Sequence, residues 1–149
     1  MAATPADPAD PHDLQRFIAA QAPVYAQVRG ELARGRKASH WMWFIFPQLK
    51  ELGRSATARH YGIASRAEAR AYLAHPLLGA RLDECTRLML AVAGKSALEI
   101  LGRPDDLKLC SSMTLFADAT EANAIFVAAL DRFCAGARDP RTLALLASA

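Results

Sequence analysis

Six consecutive apolar residues, Trp41-Met42-Trp43-Phe44-Ile45-Phe46, hold both tryptophans and two of the six phenylalanines of a 149-residue chain that is only 7% aromatic. Side chains this large carry apolar surface that a soluble fold removes from water, so the run belongs at the centre of the molecule. Its polar neighbours Arg36, Lys37, His40 and Gln48 must then lie near that centre. Periodicity does not decide the conformation of the run. A stretch apolar on every side fits a buried strand or one or two turns of buried helix. Pro47 disfavours α conformation at Phe46 and should end a regular element there.

The remaining pattern is helical. Residues 13–21 place Leu14, Phe17 and Ile18 on one face, and a second helix runs from Pro23 towards a stop at Gly35. A short helix is expected near residues 56–61. Ser65-Arg66-Ala67-Glu68 and Ser96-Ala97-Leu98-Glu99 both read as capping boxes. The first opens a helix ending near His75, and the second opens a short one closed by Gly102. Between them, Leu78, Leu82, Cys85, Met89 and Val92 form a single-face stripe that Gly94 ends. Further helices are expected from Pro104 (Leu109, Met113 and Phe116 inward), over residues 121–135, and over residues 140–146. No hairpin signal or internal repeat appears. The expectation is an all-α, compact single-domain bundle of about seven to eight helices over residues 13–149, preceded by a disordered tail at residues 1–12 (MAATPADPADPH).

Composition narrows the class. The chain is 52% hydrophobic and 22% charged, ordinary for a soluble domain. No N-terminal basic region precedes an apolar core, and the longest apolar run is six residues, against about 20 for a bilayer span. A cytoplasmic protein with no membrane association is expected. Cys85, Cys110 and Cys134 are odd in number and form no C-x-x-C pair. Free buried thiols are expected rather than a disulfide framework or a zinc site. The net charge of +3 is segregated: residues 29–70 hold nine Lys/Arg against three Glu. That stretch flanks the tryptophan run, so it is either a solvated basic face or a surface for an anionic partner.

Several blocks also carry a resemblance. They are Gly35-Arg36-Lys37, Ser39 through Leu49 (SHWMWFIFPQL), Tyr72 through Pro76, Leu78 through Leu82, Asp105 through Leu109, and Ser111 through Phe116 (SSMTLF). Together they resemble the bacterial domain-of-unknown-function family 1810, loosely labelled calpastatin, over about residues 13–146. The resemblance implies a compact, mainly helical single domain in the bacterial cytoplasm and no particular reaction. A calpain inhibitor of the calpastatin type would be long, polar and disordered, which this dense apolar pattern excludes. Two positions depart from the family's habit. Cys110 stands where a longer polar or basic residue is common, and Leu101 where an aromatic is common.

Candidate chemistry gathers at two places. His40, beside Ser39 and after Arg36 and Lys37, could act as an acid, a base or a donor to an anion, or could be a packed core histidine. Asp105, Lys108 and Ser112 share a helix face, with Ser111 and Thr114 alongside. Lysine with hydroxyls can hold an oxyanion, although the spacing equally suits a solvated face or serines bonded back to helix carbonyls. Arg36 and Lys37 could sit over tryptophan faces. Asp105-Asp106 suits the first turn after Pro104. Gly94-Lys95-Ser96 is rejected as a P-loop, because Met89 stands where the signature needs glycine. No histidine pair has metal-site spacing, and no cofactor is called for.

The expected function is binding of an anionic small molecule, nucleotide-like or phosphate-bearing. The expected recess is formed by Arg36, Lys37, His40, Trp41, Trp43, Lys108, Ser111 and Ser112. His40 is a candidate acid/base, but no reaction can be named. The alternatives are a non-catalytic protein-interaction or scaffold domain and, third, weak nucleic-acid binding by residues 29–70.

Overall fold

The computed structural model describes residues 8–148. It contains ten α-helices among those residues, more than the sequence pattern suggested. They are α1 (Gln15–Gln21), α2 (Tyr25–Ala33), α3 (Met42–Ile45), α4 (Ala56–His60), α5 (Arg66–Ala74), α6 (Pro76–Ala91), α7 (Ala97–Leu101), α8 (Asp105–Ala119), α9 (Ala124–Phe133) and α10 (Pro140–Ala147). The one helix not expected from the pattern is α3, a single turn in the tryptophan run that is too short to show a period. A 3-10 turn covers Lys50–Leu52, and an isolated parallel bridge joins Leu49 to Ile63. No strand occurs among the described residues.

The tryptophan run resolves as a single helical turn, α3, rather than a strand. Trp41, Met42, Ile45 and Phe46 are at most 2% exposed. So short a helix leaves carbonyls without intrahelical partners, and burying them is costly. The buried Gln21 answers this: its amide nitrogen donates to Phe44 O at 2.7 Å. Around this turn the long helices α6 and α8 form the frame. α8 packs on α9 and α5, and α6 packs on α5, α9 and α2.

The two capping boxes fare differently. Ser96 and Glu99 exchange both bonds, as the sequence requires. Ser65 accepts from Glu68 N at 3.1 Å, but the Glu68 side chain turns away to Arg16, 2.7 Å distant. Arg16 also donates to the carbonyls of His12, Asp13, His60 and Gly62. It thereby ties the start of the domain to the loop before α5. The tie extends into the expected tail, since the Asp10 carboxylate accepts from Leu14 N and Gln15 N. Residues 1–7 of that tail lie outside the described residues.

A correction concerns the cysteines. Cys110 and Cys134 form a disulfide, and Cys85 is a buried free thiol. α8 and α9 fold back on each other through residues 120–123. Cys110 lies nine residues before the end of α8, and Cys134 directly follows α9, ten residues past its start. The two are therefore nearly equidistant from the turn and meet across the hairpin. That equality was the available signal, but it requires knowing that the two helices pair. Cys85 behaves as expected: burial, first among the causes, pushes its thiol from 9.0 up to about 12.

Candidate functional site

The site is built outward from Glu31, on α2, which is 1% exposed. Its Oε1 accepts from Ala38 N at 2.7 Å, Ser39 N at 3.0 Å and Trp41 Nε1 at 2.9 Å, and its Oε2 accepts from Ser39 Oγ at 2.6 Å. Burial alone would raise its carboxyl. The bonds from the Ser39 hydroxyl, the Ala38 amide, the Trp41 indole and the Ser39 amide outweigh it, holding the group down from 4.5 to about 2. Glu31 thus fixes residues 38–41 as a rigid entry to the tryptophan turn. Nothing in the sequence marks Glu31 for this role, because its partners are backbone amides and an indole rather than a cation.

The same entry places Lys37, whose amide donates to Ile100 O at 2.7 Å. Its ammonium lies 3.1 Å from Asp105 Oδ2 and 5.2 Å from the centre of the Trp41 ring. The other Asp105 oxygen is 3.9 Å from Lys108 Nζ, which sits 5.9 Å from the Trp43 ring centre. The basic stretch and the lysine-bearing helix are therefore brought together, with Asp105 as the bridge.

Beyond Lys108 a cleft of about 850 Å³ opens between the loop before α4, the outer face of α8 and the segment joining α9 to α10. Its cations are Arg54, Lys108, Arg138 and Arg141, and its lone acid is Asp139. That acid is already engaged. As the N-cap of α10 it accepts from Thr142 N and Thr142 Oγ1 through Oδ2, which also takes a longer bond from Ser111 Oγ at 3.3 Å. Arg54, Arg138 and Arg141 are exposed, and none makes a side-chain hydrogen bond or ion pair among the described residues. Leu52, Pro104 and Leu107 add apolar wall, and the Cys110–Cys134 disulfide lines it as well. The segment carrying Arg138 is pinned at both ends, by that disulfide and by Asp139 N donating to Thr114 Oγ1 at 2.9 Å. Its turn uses left-handed backbone at Ala135 (φ 54°) and Gly136 (φ 73°).

The eight residues singled out from sequence separate into five groups. Lys108 and Ser111 line the cleft. Trp43, half-buried, lies in a narrow crevice that shares Gln48, Ala58 and Lys108 with it. Lys37 and Trp41 are spent on structure: Lys37 is held in its ion pair, and Trp41 is core. Arg36 and His40 are exposed, lie outside the cleft lining, and make no side-chain hydrogen bond or ion pair among the described residues. Ser112 is fully buried, with its hydroxyl unpaired, and is not part of the cleft. Arg54, Arg138, Arg141 and the disulfide were not anticipated. They come from three distant parts of the chain, with Arg54 and Arg138 in loops, Cys110 in α8 and Arg141 in the first turn of α10, and helical periodicity does not say that these parts meet. Among the described residues no group of three or more metal-ligating side chains occurs, and no helix is long and apolar enough to cross a membrane.

The model of a family described as "Protein of unknown function (DUF1810)" matches residues 11–146. The chain belongs to that family. The DUF1810 domain here is also similar to a solved structure, that of the conserved hypothetical protein Rv1873 from Mycobacterium tuberculosis. The two are 62% identical, with a TM-score of 0.92, and the match covers 93% of this chain and 99% of that one. No curated protein matches the chain.

Proposed function

We propose that this DUF1810 domain binds an anionic, phosphate-bearing small molecule in the cleft beside Lys108. The observation that carries the reading is the charge of the lining: four cations face one carboxylate, and that carboxylate is occupied by its own helix cap. Arg54, Arg138 and Arg141 have no partner among the described residues, so an anion bound to those three displaces no ion pair; Lys108 keeps only a long contact with Asp105, at 3.9 Å. The volume falls within the usual range for ligand pockets, about 300–1,000 Å³. The walls of Leu52, Pro104 and Leu107 suit a ligand with an apolar or planar part, as a nucleotide has. The recess thus differs from the one expected around His40, which contributes nothing to this lining. The interaction reading has less behind it: the exposed large hydrophobics Leu77, Leu98, Leu107 and Leu143 come one each from α6, α7, α8 and α10.

Thermal unfolding against tripolyphosphate, AMP and ATP tests this. A ligand at a hundred times its dissociation constant adds about 2.7 kcal/mol, which for a chain of this size raises Tm by about 5–10 °C. Arg138→Ala with Arg141→Ala should abolish most of the shift, and His40→Ala should leave it intact. The reading fails if none of the three compounds raises Tm, or if His40→Ala alone removes the effect.

A further inference from the structure

The cleft wall contains a group that anion binding does not use, the Cys110–Cys134 disulfide. A purely structural bridge needs no cationic approach, yet this one opens onto the same space as Arg54, Lys108, Arg138 and Arg141. Both cysteines are partly exposed, unlike Cys85, whose burial keeps it an inert thiol. A thiolate is the attacking species in disulfide exchange, and nearby positive charge both attracts it and stabilises the thiolate that leaves. We propose that the Cys110–Cys134 disulfide is a thiol–disulfide exchange site for a small thiol bearing negative charge, drawn in by the cleft arginines. The proposal rests on the anion-binding reading of the cleft.

The position of each sulfur sets the direction of attack. Cys134 caps the C-terminal end of α9, and its amide bonds Leu130 O. The negative end of a helix dipole disfavours a thiolate there. Cys110 lies within α8, away from either helix end, so its sulfur is the better leaving group. The incoming thiolate bonds to Cys134 Sγ, the Sγ–Sγ bond breaks, and the electron pair departs on Cys110 Sγ. A second thiolate then attacks the small-molecule sulfur of the mixed disulfide. This releases the Cys134 thiolate and a symmetric small disulfide. Both protein thiolates take a proton from solvent, so two small thiols are oxidised and one protein disulfide is reduced.

The test reacts the oxidised full chain with glutathione (net negative), 2-mercaptoethanol (neutral) and cysteamine (positive). Thiols released are counted by alkylation and mass. Each rate is divided by thiolate concentration and by the rate for the same disulfide in the urea-unfolded chain. Glutathione should then exceed cysteamine by about ten-fold or more at low salt. The preference should collapse at about 1 M salt, where the screening length is about 3 Å, and in Arg138→Ala/Arg141→Ala. An acid-quenched mixed disulfide should map to Cys134. Normalised rates indifferent to thiol charge, or reduction no faster than global unfolding, would overturn the proposal. If tripolyphosphate raises Tm while the thiols show no charge order, exchange falls and anion binding stands. A charge order without any phosphate-induced shift removes the phosphate ligand and keeps the exchange site.

Discussion

Glu31→Ala is expected to cost the fold about 4 kcal/mol, read as a fall in the urea midpoint. The substitution strands the buried indole N–H of Trp41 and the part-buried amides of Ala38 and Ser39, at about 1–3 kcal/mol for each donor that stays out of water, before relaxation. A domain whose whole stability is about 5–15 kcal/mol would lose a large share of it. Glu31→Gln is the sharper probe, because it keeps the shape and removes the charge. The carboxyl titrates near 2 in the fold against an ordinary 4.5. On acidification the unfolded chain therefore takes up this proton first. The stabilisation is fully present above pH about 4.5 and is lost as pH falls towards 2. It is on the order of 3 kcal/mol at neutral pH. The stability gap between wild type and Glu31→Gln should be widest above pH 4.5 and narrow steadily below it. A gap independent of pH would show that Glu31 does not hold the entry to the tryptophan turn as an ionised group.

Opening the disulfide is expected to have a comparable effect. Cys110 and Cys134 are separated by 24 residues, and closing a loop of that length in the unfolded chain is worth about 3 kcal/mol. Cys110→Ser/Cys134→Ser should therefore unfold about 6–12 °C below the oxidised wild type. Reduced wild type should match the double variant, because the missing constraint is the same. The two differ if the serines disturb packing on their own. An unchanged Tm in both would mean that the bridge constrains little.

The sequence spoke most clearly where local chemistry alone sets the outcome. The Ser96–Glu99 box formed as written because both partners lie within one turn. The Ser65–Glu68 box formed only by half, because Arg16, 52 residues away, offered Glu68 a buried ion pair. The tryptophan run was legible as core from its bulk, but not as a helical turn, since the carbonyl partner that makes the turn tolerable is Gln21, in another helix. On α8, Lys108 was grouped with the aromatic run, and its ammonium lies 5.9 Å from the Trp43 ring centre; Asp105 was read only as a same-face neighbour of Lys108. Ser112 was grouped with them as well but is fully buried. Residues 112–117 are buried on every side, and a helix enclosed all round has no readable outer face. Of the cleft arginines, Arg54 and Arg138 lie in connecting segments and Arg141 in the first turn of α10, and only the meeting of α4, α8 and α10 makes them neighbours. The disulfide likewise depends on a helix pairing that residue spacing does not declare.

The central claim is that the anion site is the cleft and not the basic stretch before the tryptophans. Titrating the uniformly 15N-labelled protein with tripolyphosphate and following amide shifts tests it most directly. The account predicts saturable shifts concentrated at residues 53–55, 107–111 and 134–141, with residues 36–40 unmoved. Shifts gathered at residues 36–40, or none that saturate, would contradict it.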